Sequence, residues 1–348
     1  MTLATDESGL GLDQTEELIL VHDRSSGLGA AVAIDDTTLG PAIGGVRWRA
    51  YPDEASAVTE VRRLARVMTL KSAIAGIPSG GAKGVIFKPL PSVSGSTRRE
   101  VIEAFGRLVR RLDGTYVPGL DMGTSLDDLR VMSTQVPGIC IMEPSEQTAV
   151  GVFVGIVAAV ESRWDTDLSG HTVLIQGAGH VGANLATRLS AAGARVTVAD
   201  VDAERARAVC AEVGGTVIDP GEVIGHPCDV FVPCAVGRVV DADTVGILRC
   251  AVIAGAANDV LSTRAGADLL RAREIDYVPD FLINSGGVIA IHAKRAGWDE
   301  DRMAATVGSI GTRVRDVLRT ARDTGRTPLE VAEEMASAQL GHRVTVPD

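Results

Sequence analysis

Two patterns of apolar residues alternate along the first third of the chain. Short apolar runs, EELILVHD and GAAVAIDD, flank a turn that contains glycine and predict two strands. Residues 54–70 instead place Val61, Leu64 and Met68 three or four positions apart, which is the spacing of an amphipathic helix. Residues 98–112 predict a second helix. The first third is therefore expected to be mixed α/β.

The pattern changes near residue 140, where we expect a domain boundary between residues 135 and 145. Residues 148–163 predict a helix, and its uncharged run AVGVFVGIVAAV is well short of the ~20 residues that span a bilayer. We therefore predict that this helix is buried. Strand-like runs follow (CDVFVPCA, CAVIAGAA and IDYVPDFLIN), separated by helical or polar segments. Such alternation favours a parallel, doubly wound sheet, and the chain from about residue 300 is expected to be helical.

Composition narrows the class of protein. The 348 residues are 45% hydrophobic and 23% charged, which is typical of a soluble globular protein of about two domains. The net charge of −11, without basic clusters, argues against nucleic-acid binding. The N-terminus is polar and acidic and does not resemble a signal peptide. Five cysteines without a CxxC pair predict reduced thiols and a cytoplasmic protein, and scattered histidines predict no metal site.

A glycine-rich motif follows the predicted strand that ends at residue 176. Gly177, Gly179 and Gly182 fit G-x-G-x-x-G, a helix pattern follows them, and the next strand ends at Asp200. This context predicts a dinucleotide fold, in which the glycines let the backbone approach the pyrophosphate at the helix N-terminus. Asp200 would bind the adenosine ribose and repel a 2′-phosphate, which favours NAD over NADP. Two arginines close in sequence, at positions 195 and 205, could instead bind a 2′-phosphate.

The first domain contains two unusual lysines. Lys71, in MTLKSAIAG, and Lys83, in SGGAKGV, are each surrounded by small and apolar residues, where a cation needs a partner or a substrate. Lys83 is predicted in a flexible glycine-rich turn that leads directly into a buried strand. Lys71 is predicted in the last turn of the first helix or just past its end.

These segments, with LGPAIGGVRW, PGLDMGT, PCAVG, AGAAND and PDFLINSGGV, resemble the amino acid dehydrogenases for glutamate, leucine, valine and phenylalanine. The resemblance covers residues 35–320 with the motifs in the same order, and it is closest to the leucine/valine/phenylalanine branch. It implies a mixed α/β domain for substrate, catalysis and oligomerisation over residues 1–140, and a Rossmann-type NAD domain over residues 141–325, with a cleft between them. Residues 326–348 are expected to form a helical segment that packs back toward the first domain.

The implied reaction is the reversible oxidative deamination of an L-amino acid to a 2-oxo acid and ammonia, in a homo-oligomer. Lys83 and Asp121 match the catalytic lysine and aspartate, and Lys71 matches the lysine that binds the substrate α-carboxylate. We hypothesise that Lys83 polarises the carbinolamine oxygen and activates water, while Asp121 accepts the substrate ammonium. The other positions implied to contact the amino acid are Ile43, Gly44, Gly45, Met68, Gly119, Asn258, Val288 and Ile291. Those implied to contact NAD are Thr148, Gly177, Gly179, His180, Val181, Gly182, Asp200, Val201, Cys234, Ala235, Asn258 and Asn284.

The substrate is expected to be apolar. Glutamate members have a lysine just before the Gly-Gly pair, whereas this chain has Ile43, and a glutamate carboxylate buried there would lack a counter-charge. The aliphatic pocket favours leucine, valine or isoleucine, and Gly119 leaves room for phenylalanine or another aromatic side chain. Ala82 and Leu120 depart from the branch pattern. Two alternatives remain open: an NAD-linked dehydrogenase of another substrate class, and an inactive NAD-binding regulatory homologue.

Overall fold

The computed structural model describes residues 16–90, 92–235 and 237–346. The acidic N-terminal stretch over residues 1–15 therefore lies outside the described residues. The chain divides into two compact units, one formed by residues 16–73 and 77–143, and the other by residues 74–76 and 144–346. The predicted two-domain α/β architecture is confirmed.

The first unit is a five-stranded mixed sheet with three helices. Its strands are β1 (Glu17–Asp23), β2 (Leu28–Asp36), β3 (Ala42–Trp48), β4 (Gly80–Lys88) and β5 (Tyr116–Leu120). Its helices are α1 (Glu54–Ala75), α2 (Gly95–Arg110) and α3 (Leu126–Ser133). The strand order is β1-β2-β4-β3-β5, and β3 pairs in parallel with both β4 and β5. Sequence-adjacent strands β3 and β4 are parallel because α1 connects them.

The two faces of this sheet pack against different helices. Val85 and Phe87 of β4 join a cluster with Val61 of α1, while Ile86 of the same strand joins a cluster with Phe105 of α2. Side chains alternate between faces along a strand, so the odd-numbered positions of β4 face α1 and the even-numbered ones face α2. Lys83 is therefore on the α1 face.

Two predictions about the lysines need correction. Lys83 does not lie in a flexible turn, because β4 begins at Gly80 and includes the whole Gly-Gly-Ala-Lys run. Close packing, and not turn geometry, requires glycine here. A Cβ on Gly81 would lie 2.1 Å from the backbone nitrogen of Thr69 in α1. Lys71 is not at the helix end either, since α1 continues four residues further to Ala75.

The second unit is built on a six-stranded parallel sheet. Its strands are β6 (Thr172–Gln176), β7 (Arg195–Ala199), β8 (Thr216–Val217), β9 (Val230–Pro233), β10 (Val252–Ile253) and β11 (Asp276–Tyr277). The order β11-β10-β9-β6-β7-β8, with every pair parallel, is the Rossmann order. Dinucleotides bind such sheets where the strand order reverses, here at the carboxyl ends of β6 and β9.

Helices surround this sheet. They are α4 (Ser145–Trp164), α5 (His180–Ala191), α6 (Ala203–Val213), α7 (Ala242–Val245), α8 (Gly266–Ala272), α9 (Asp280–Ile283), α10 (Gly286–Ala296), α11 (Glu300–Thr324) and α12 (Pro328–Leu340), with a 3₁₀ helix at Pro220–Gly225. The helix predicted over residues 148–163 is confirmed as α4, and within the described ranges no helix is long and apolar enough to cross a membrane. The last helix packs against α11 and β11.

The strand predicted within IDYVPDFLIN is present but is much shorter than the run. Only Asp276 and Tyr277 pair with a neighbouring strand, and the following residues form the short helix α9. Pro279 has no N–H to donate to a sheet ladder and instead precedes the first turn of α9. The run CAVIAGAA is also shorter than predicted as a strand, since only Val252 and Ile253 belong to β10.

Candidate active site

The strand register of the first unit brings Lys83 and Asp121 together. Gly45 pairs with Gly119 of β5, and the register of β3 with β4 places Gly45 beside Lys83. Arg47 is the next residue of β3 on the same face, and its side chain contacts Asp121, which directly follows the end of β5. Because Gly45 and Gly119 have no side chains, the lysine can extend across β3 to the aspartate.

Asp121 accepts hydrogen bonds at both carboxylate oxygens. Its Oδ2 lies 2.6 Å from Lys83 Nζ and 3.0 Å from Arg47 Nε. Its Oδ1 accepts from the backbone N–H of Met122 at 2.7 Å and from Arg47 Nη2 at 3.4 Å. Burial alone would raise the pKa of the Asp121 carboxyl, but Lys83 and Arg47 outweigh burial and hold the pKa below its ordinary value. Asp121 is therefore an anion at neutral pH.

The paired glycines of β3 are required by close approach of the neighbouring backbone. A Cβ on Gly44 would lie 1.6 Å from the carbonyl oxygen of Ala82, and one on Gly45 would lie 2.6 Å from that of Leu120. The Tyr116 hydroxyl donates to the Gly44 carbonyl at 3.0 Å, which fixes this part of β3 from the α2 side. No larger residue fits at either position without moving a strand.

Helix α1 lies over the same face of the sheet and contributes Lys71 and Met68. Lys71 is buried and Met68 is half-buried. The helix is held against the sheet by Asp35 of β2, which accepts from Thr69 Oγ1 at 2.7 Å and from Arg66 Nε at 3.1 Å. The predicted pocket residues Ile43 and Gly119 are also buried, at β3 and β5 positions that share the face of Gly45.

The glycine-rich loop of the second unit connects β6 to α5. Gly177 adopts a φ of +105°, and a Cβ there would lie 2.9 Å from the Cβ of Ala235 and 3.1 Å from the carbonyl carbon of Cys234. A Cβ on Gly182 would lie 2.0 Å from the Gly177 carbonyl oxygen, whereas one on Gly179 would meet nothing within 4 Å. The loop is thus tightly packed at Gly177 and Gly182, whereas the side of Gly179 where a Cβ would lie is open.

The N-terminus of α5 presents its first backbone N–H groups without a capping side chain, because its N-cap is Gly179. His180 is the exposed first residue of the helix, and Val181 beside it is half-buried. Uncapped N–H groups and the positive end of the helix dipole favour a bound anion such as a phosphate.

Asp200 lies at the carboxyl end of β7, next to the glycine-rich loop. Its Oδ2 accepts from the backbone N–H of Ala178 at 2.6 Å, and its Oδ1 accepts from that of Asp202 at 2.8 Å. The adjacent Val201 is 94% exposed, which is unusual for an aliphatic side chain. Arg195 lies at the opposite end of β7, and Arg205 pairs with Asp202 at 3.4 Å.

Two asparagines of the second unit lie in contact. Asn284 Nδ2 donates to Asn258 Oδ1 at 3.0 Å and to the Ala256 carbonyl at 3.1 Å. Asn284 is buried, and its Oδ1 has no hydrogen-bond partner. Because a buried acceptor without a donor is costly, this oxygen is suited to receive a donor from a ligand.

The remaining predicted positions lie on α4 and α10. Thr148 Oγ1 donates to the Pro144 carbonyl at 2.9 Å and lies against the start of α10, 2.8 Å from the position of a Cβ on Gly287. Val288 is buried on α10 and Ile291 is half-buried. His292, next along α10, makes an edge-to-face contact with Trp298 at 5.0 Å.

Family comparison agrees with this architecture. A family model described as the Glu/Leu/Phe/Val dehydrogenase dimerisation domain matches residues 17–137, and one described as Glutamate/Leucine/Phenylalanine/Valine dehydrogenase matches residues 199–340. The chain belongs to this dehydrogenase family. It is therefore an amino acid dehydrogenase, and the resemblance inferred from the ordered motifs is confirmed.

Individual relatives of this dehydrogenase match over nearly the whole chain. The leucine dehydrogenase of Bacillus cereus is 35% identical over 338 residues, which cover 93% of this chain and 90% of the relative. The valine dehydrogenase of Streptomyces coelicolor is 35% identical over 337 residues, with coverage of 93% and 92%. The crystal structure of L-tryptophan dehydrogenase from Nostoc punctiforme superposes with a TM-score of 0.81 at 35% identity, with coverage of 94% of this chain and 96% of the other.

The residues of the dehydrogenase fit an NAD(P)-type dinucleotide. Gly177 with its positive φ, Gly179 with open space where a Cβ would lie, and the uncapped N-terminus of α5 form a cradle for a pyrophosphate. Asp200, at the end of the neighbouring strand β7, adds a carboxylate beside this loop. Among the described residues, no group of three or more His, Cys, Asp or Glu side chains is arranged to hold a metal ion.

Sequence reasoning missed three residues of the site. Arg47 and Glu60 form an ion pair at 2.6 Å behind Asp121, and Tyr116 holds the Gly44 backbone. Arg47 could have been found from the alternation along β3, which puts it two positions beyond Gly45 on the same face. Nothing in the local sequence indicates the role of Glu60, which depends on how α1 packs.

Proposed function

We propose that the dehydrogenase catalyses the reversible, NAD-dependent oxidative deamination of an apolar L-amino acid to its 2-oxo acid and ammonia. The observation that carries the proposal is the contact at 2.6 Å between buried Lys83 and half-buried Asp121, whose side chains meet over Gly45 of strand β3. A lysine and an ionised carboxylate in contact can bind an amino group and activate the water that hydrolyses an iminium.

Lys71, Lys83 and Asp121 would each act on a different group of the substrate. Lys71 would bind the α-carboxylate, and the bound dinucleotide would accept the hydride from Cα. Lys83 would then activate the water that attacks the iminium carbon and polarise the oxygen of the carbinolamine that forms. Asp121, held as an anion, would accept hydrogen bonds from the substrate amino group, take one proton from the ammonium before the hydride leaves, and return that proton to the nitrogen as ammonia departs.

An apolar side chain suits the positions that would surround it. Ile43 stands where glutamate members have a lysine, and it is buried, so a substrate carboxylate there would be desolvated without a counter-charge. The relatives named leucine, valine and L-tryptophan dehydrogenase support apolar substrates and keep large aromatic ones under consideration. Each methylene contributes only ~1–3 kcal/mol of discrimination in such a pocket, so several amino acids are expected to react.

NAD rather than NADP is supported by the charge around Asp200. Its carboxylate would accept hydrogen bonds from the ribose hydroxyls and repel a 2′-phosphate. Arg195 is at the far end of β7 and Arg205 is paired with Asp202, so neither supports a 2′-phosphate site. The exposed Val201 would provide an apolar surface for the adenine ring.

The proposal includes a homo-oligomer assembled through the first unit. Its support is the description of the matching family model, over residues 17–137, as a dimerisation domain. No disulfide joins any of the five cysteines, all of which lie in the part of the chain that the structure describes, and this supports a reducing compartment such as the cytoplasm.

The test compares two lysines of the same strand. We expect Lys83→Ala to lower kcat by about 10²–10⁴-fold, the usual contribution of a general acid or base, without weakening NAD binding measured by calorimetry. Lys88→Ala, at the exposed end of β4, is the matched control and should keep wild-type turnover. Wild-type turnover in Lys83→Ala would refute the assignment.

A further inference from the structure

Arg47 is a buried arginine whose guanidinium lies between two carboxylates. Its Nε and Nη2 donate to the two oxygens of Asp121, at 3.0 and 3.4 Å, and its Nη1 donates to Glu60 Oε1 at 2.6 Å. Only about a tenth of its side-chain surface is exposed. A guanidinium that uses one edge for one carboxylate and its remaining nitrogen for another is fixed in orientation.

Glu60, on helix α1, binds the side of the Arg47 guanidinium that does not contact Asp121. Oε1 of Glu60 also accepts from the Tyr51 hydroxyl at 3.3 Å, and its Oε2 lies 3.8 Å from Arg49 Nη1. Arg47 therefore connects β3 to α1, the helix that contains Lys71, and to the residue that follows β5. Its position is determined by the packing of these elements rather than by a flexible loop.

The hydrogen bonds that Asp121 accepts limit how a substrate amino group can bind to it. A carboxylate has about four lone-pair positions, and Asp121 already accepts from Lys83, from the Met122 N–H and twice from Arg47. A substrate amino group can bind Asp121 only by replacing one of these donors. Lys83 is the donor that the proposed chemistry requires to move toward the substrate, so it is the one replaced.

At that moment Arg47 is the remaining charged partner of Asp121. We infer that Arg47 is a positioning residue for the reaction: it keeps Asp121 ionised and in one orientation after Lys83 has turned to the substrate, and Glu60 keeps Arg47 in place. Without the arginine, only the Met122 N–H would hold the half-buried Asp121 carboxylate once Lys83 has moved. This inference rests on the proposed function and deepens it.

A double-mutant cycle with Asp121 tests the inference. We expect Arg47→Met to lower kcat by about 100-fold, the cost of a displacement of ~1 Å at the reacting groups, with the NAD dissociation constant unchanged. In the Asp121→Asn background the same substitution should lower the rate by less than about 3-fold, because its effect acts through Asp121. Rates are measured as single-turnover NADH formation with enzyme in excess, so that slow variants remain measurable.

The controls separate this role from a structural one. Arg49→Met removes a neighbouring arginine that is 44% exposed and also faces Glu60, and it should keep wild-type kcat. If Arg47→Met does not fold, Arg47→Lys completes the cycle, since lysine keeps the charge but cannot donate to both oxygens of Asp121.

Two results would overturn the inference: wild-type kcat in the Arg47 variant, or equal losses in the wild-type and Asp121→Asn backgrounds. Either result leaves the proposed function standing as long as the wild-type protein oxidises an amino acid. Absence of wild-type turnover with every amino acid would instead refute the proposed function itself.

Discussion

Gly45 separates Lys83 from Asp121 in the sheet of the first unit, and the space above it is what lets the two side chains meet. Lys83 extends from β4 across β3 to reach the carboxylate at 2.6 Å. Arg47 reaches the same carboxylate from two positions further along β3. At the scale of residues, the site thus depends on Gly45, which has no side chain to separate Lys83 from Asp121.

Gly45→Ala is expected to disrupt this arrangement. The new Cβ would lie 2.6 Å from the Leu120 carbonyl oxygen and 2.8 Å from the Asp121 Cβ, so β5 must move. We expect a loss of about 1–3 kcal/mol in the free energy of unfolding, measured by urea denaturation, together with a large fall in kcat. The control is Gly308→Ala, at an exposed helical position with nothing within 4 Å, which should be neutral or stabilising by up to ~1 kcal/mol. Unchanged stability and kcat in Gly45→Ala would contradict the geometry described above.

Lys71, Lys83 and Asp121 could be predicted from sequence, whereas the contact of Arg47 with Asp121 could not. Lys71 and Lys83 stand out because apolar neighbours surround them, and that signal is local. The Arg47–Asp121 contact joins residues 74 positions apart, and it depends on the register of two strands that no local pattern specifies. The departures at Ala82 and Leu120 are explained by the same alternation, since both pack with the α2-side cluster and face away from Lys83.

Among the structural elements, the β6–α5 segment was predictable and the glycine-rich start of β4 was not. The G-x-G-x-x-G motif lies between a strand and a helix as its context predicted. In β4, consecutive glycines suggested a turn, because glycine is common in turns and rare in strands. The strand tolerates them since Thr69 of α1 and the backbone of Asp36 approach too closely for any Cβ at Gly81 and Gly80.

The two later glycines of the β6–α5 segment should respond differently to alanine. A Cβ on Gly182 would lie 2.0 Å from the Gly177 carbonyl oxygen, so Gly182→Ala should both destabilise the protein and abolish NAD binding. A Cβ on Gly179 meets no protein atom within 4 Å but would occupy the space in front of the α5 N-terminus. Gly179→Ala should therefore weaken NAD binding in calorimetry and leave the melting temperature within about 2 °C of wild type. Equal losses of melting temperature in both variants would contradict this account of the loop.

For the whole molecule, acid stability is the property to which the site contributes through Asp121. Its pKa is held below the ordinary 3.8 by Lys83 and Arg47 against the effect of burial, so its ionised form stabilises the folded state. That stabilisation is complete above pH 3.8 and is lost as the pH falls toward the lowered pKa. Asp35 acts in the opposite direction, since burial raises its pKa.

Urea denaturation between pH 7 and pH 3 can measure this contribution. We expect the wild-type free energy of unfolding to fall more steeply below pH 4 than that of Asp121→Asn, which has no carboxyl to protonate at this position. Asp127→Asn, in which an exposed carboxylate of α3 is removed, should follow the wild-type curve. Parallel curves for the wild-type protein and Asp121→Asn would show that the carboxylate is not held ionised by its neighbours.

The central claim concerns the reaction of the whole molecule, and a substrate panel tests it most directly. Initial rates of NADH formation are compared for L-leucine, L-valine, L-isoleucine, L-phenylalanine, L-tryptophan and L-glutamate, with NAD and with NADP. We predict that an apolar amino acid with NAD gives the highest kcat/KM and exceeds glutamate by at least about 100-fold, because Ile43 offers no charge to a side-chain carboxylate. A preference for glutamate, or no NADH from any apolar amino acid, would contradict the account.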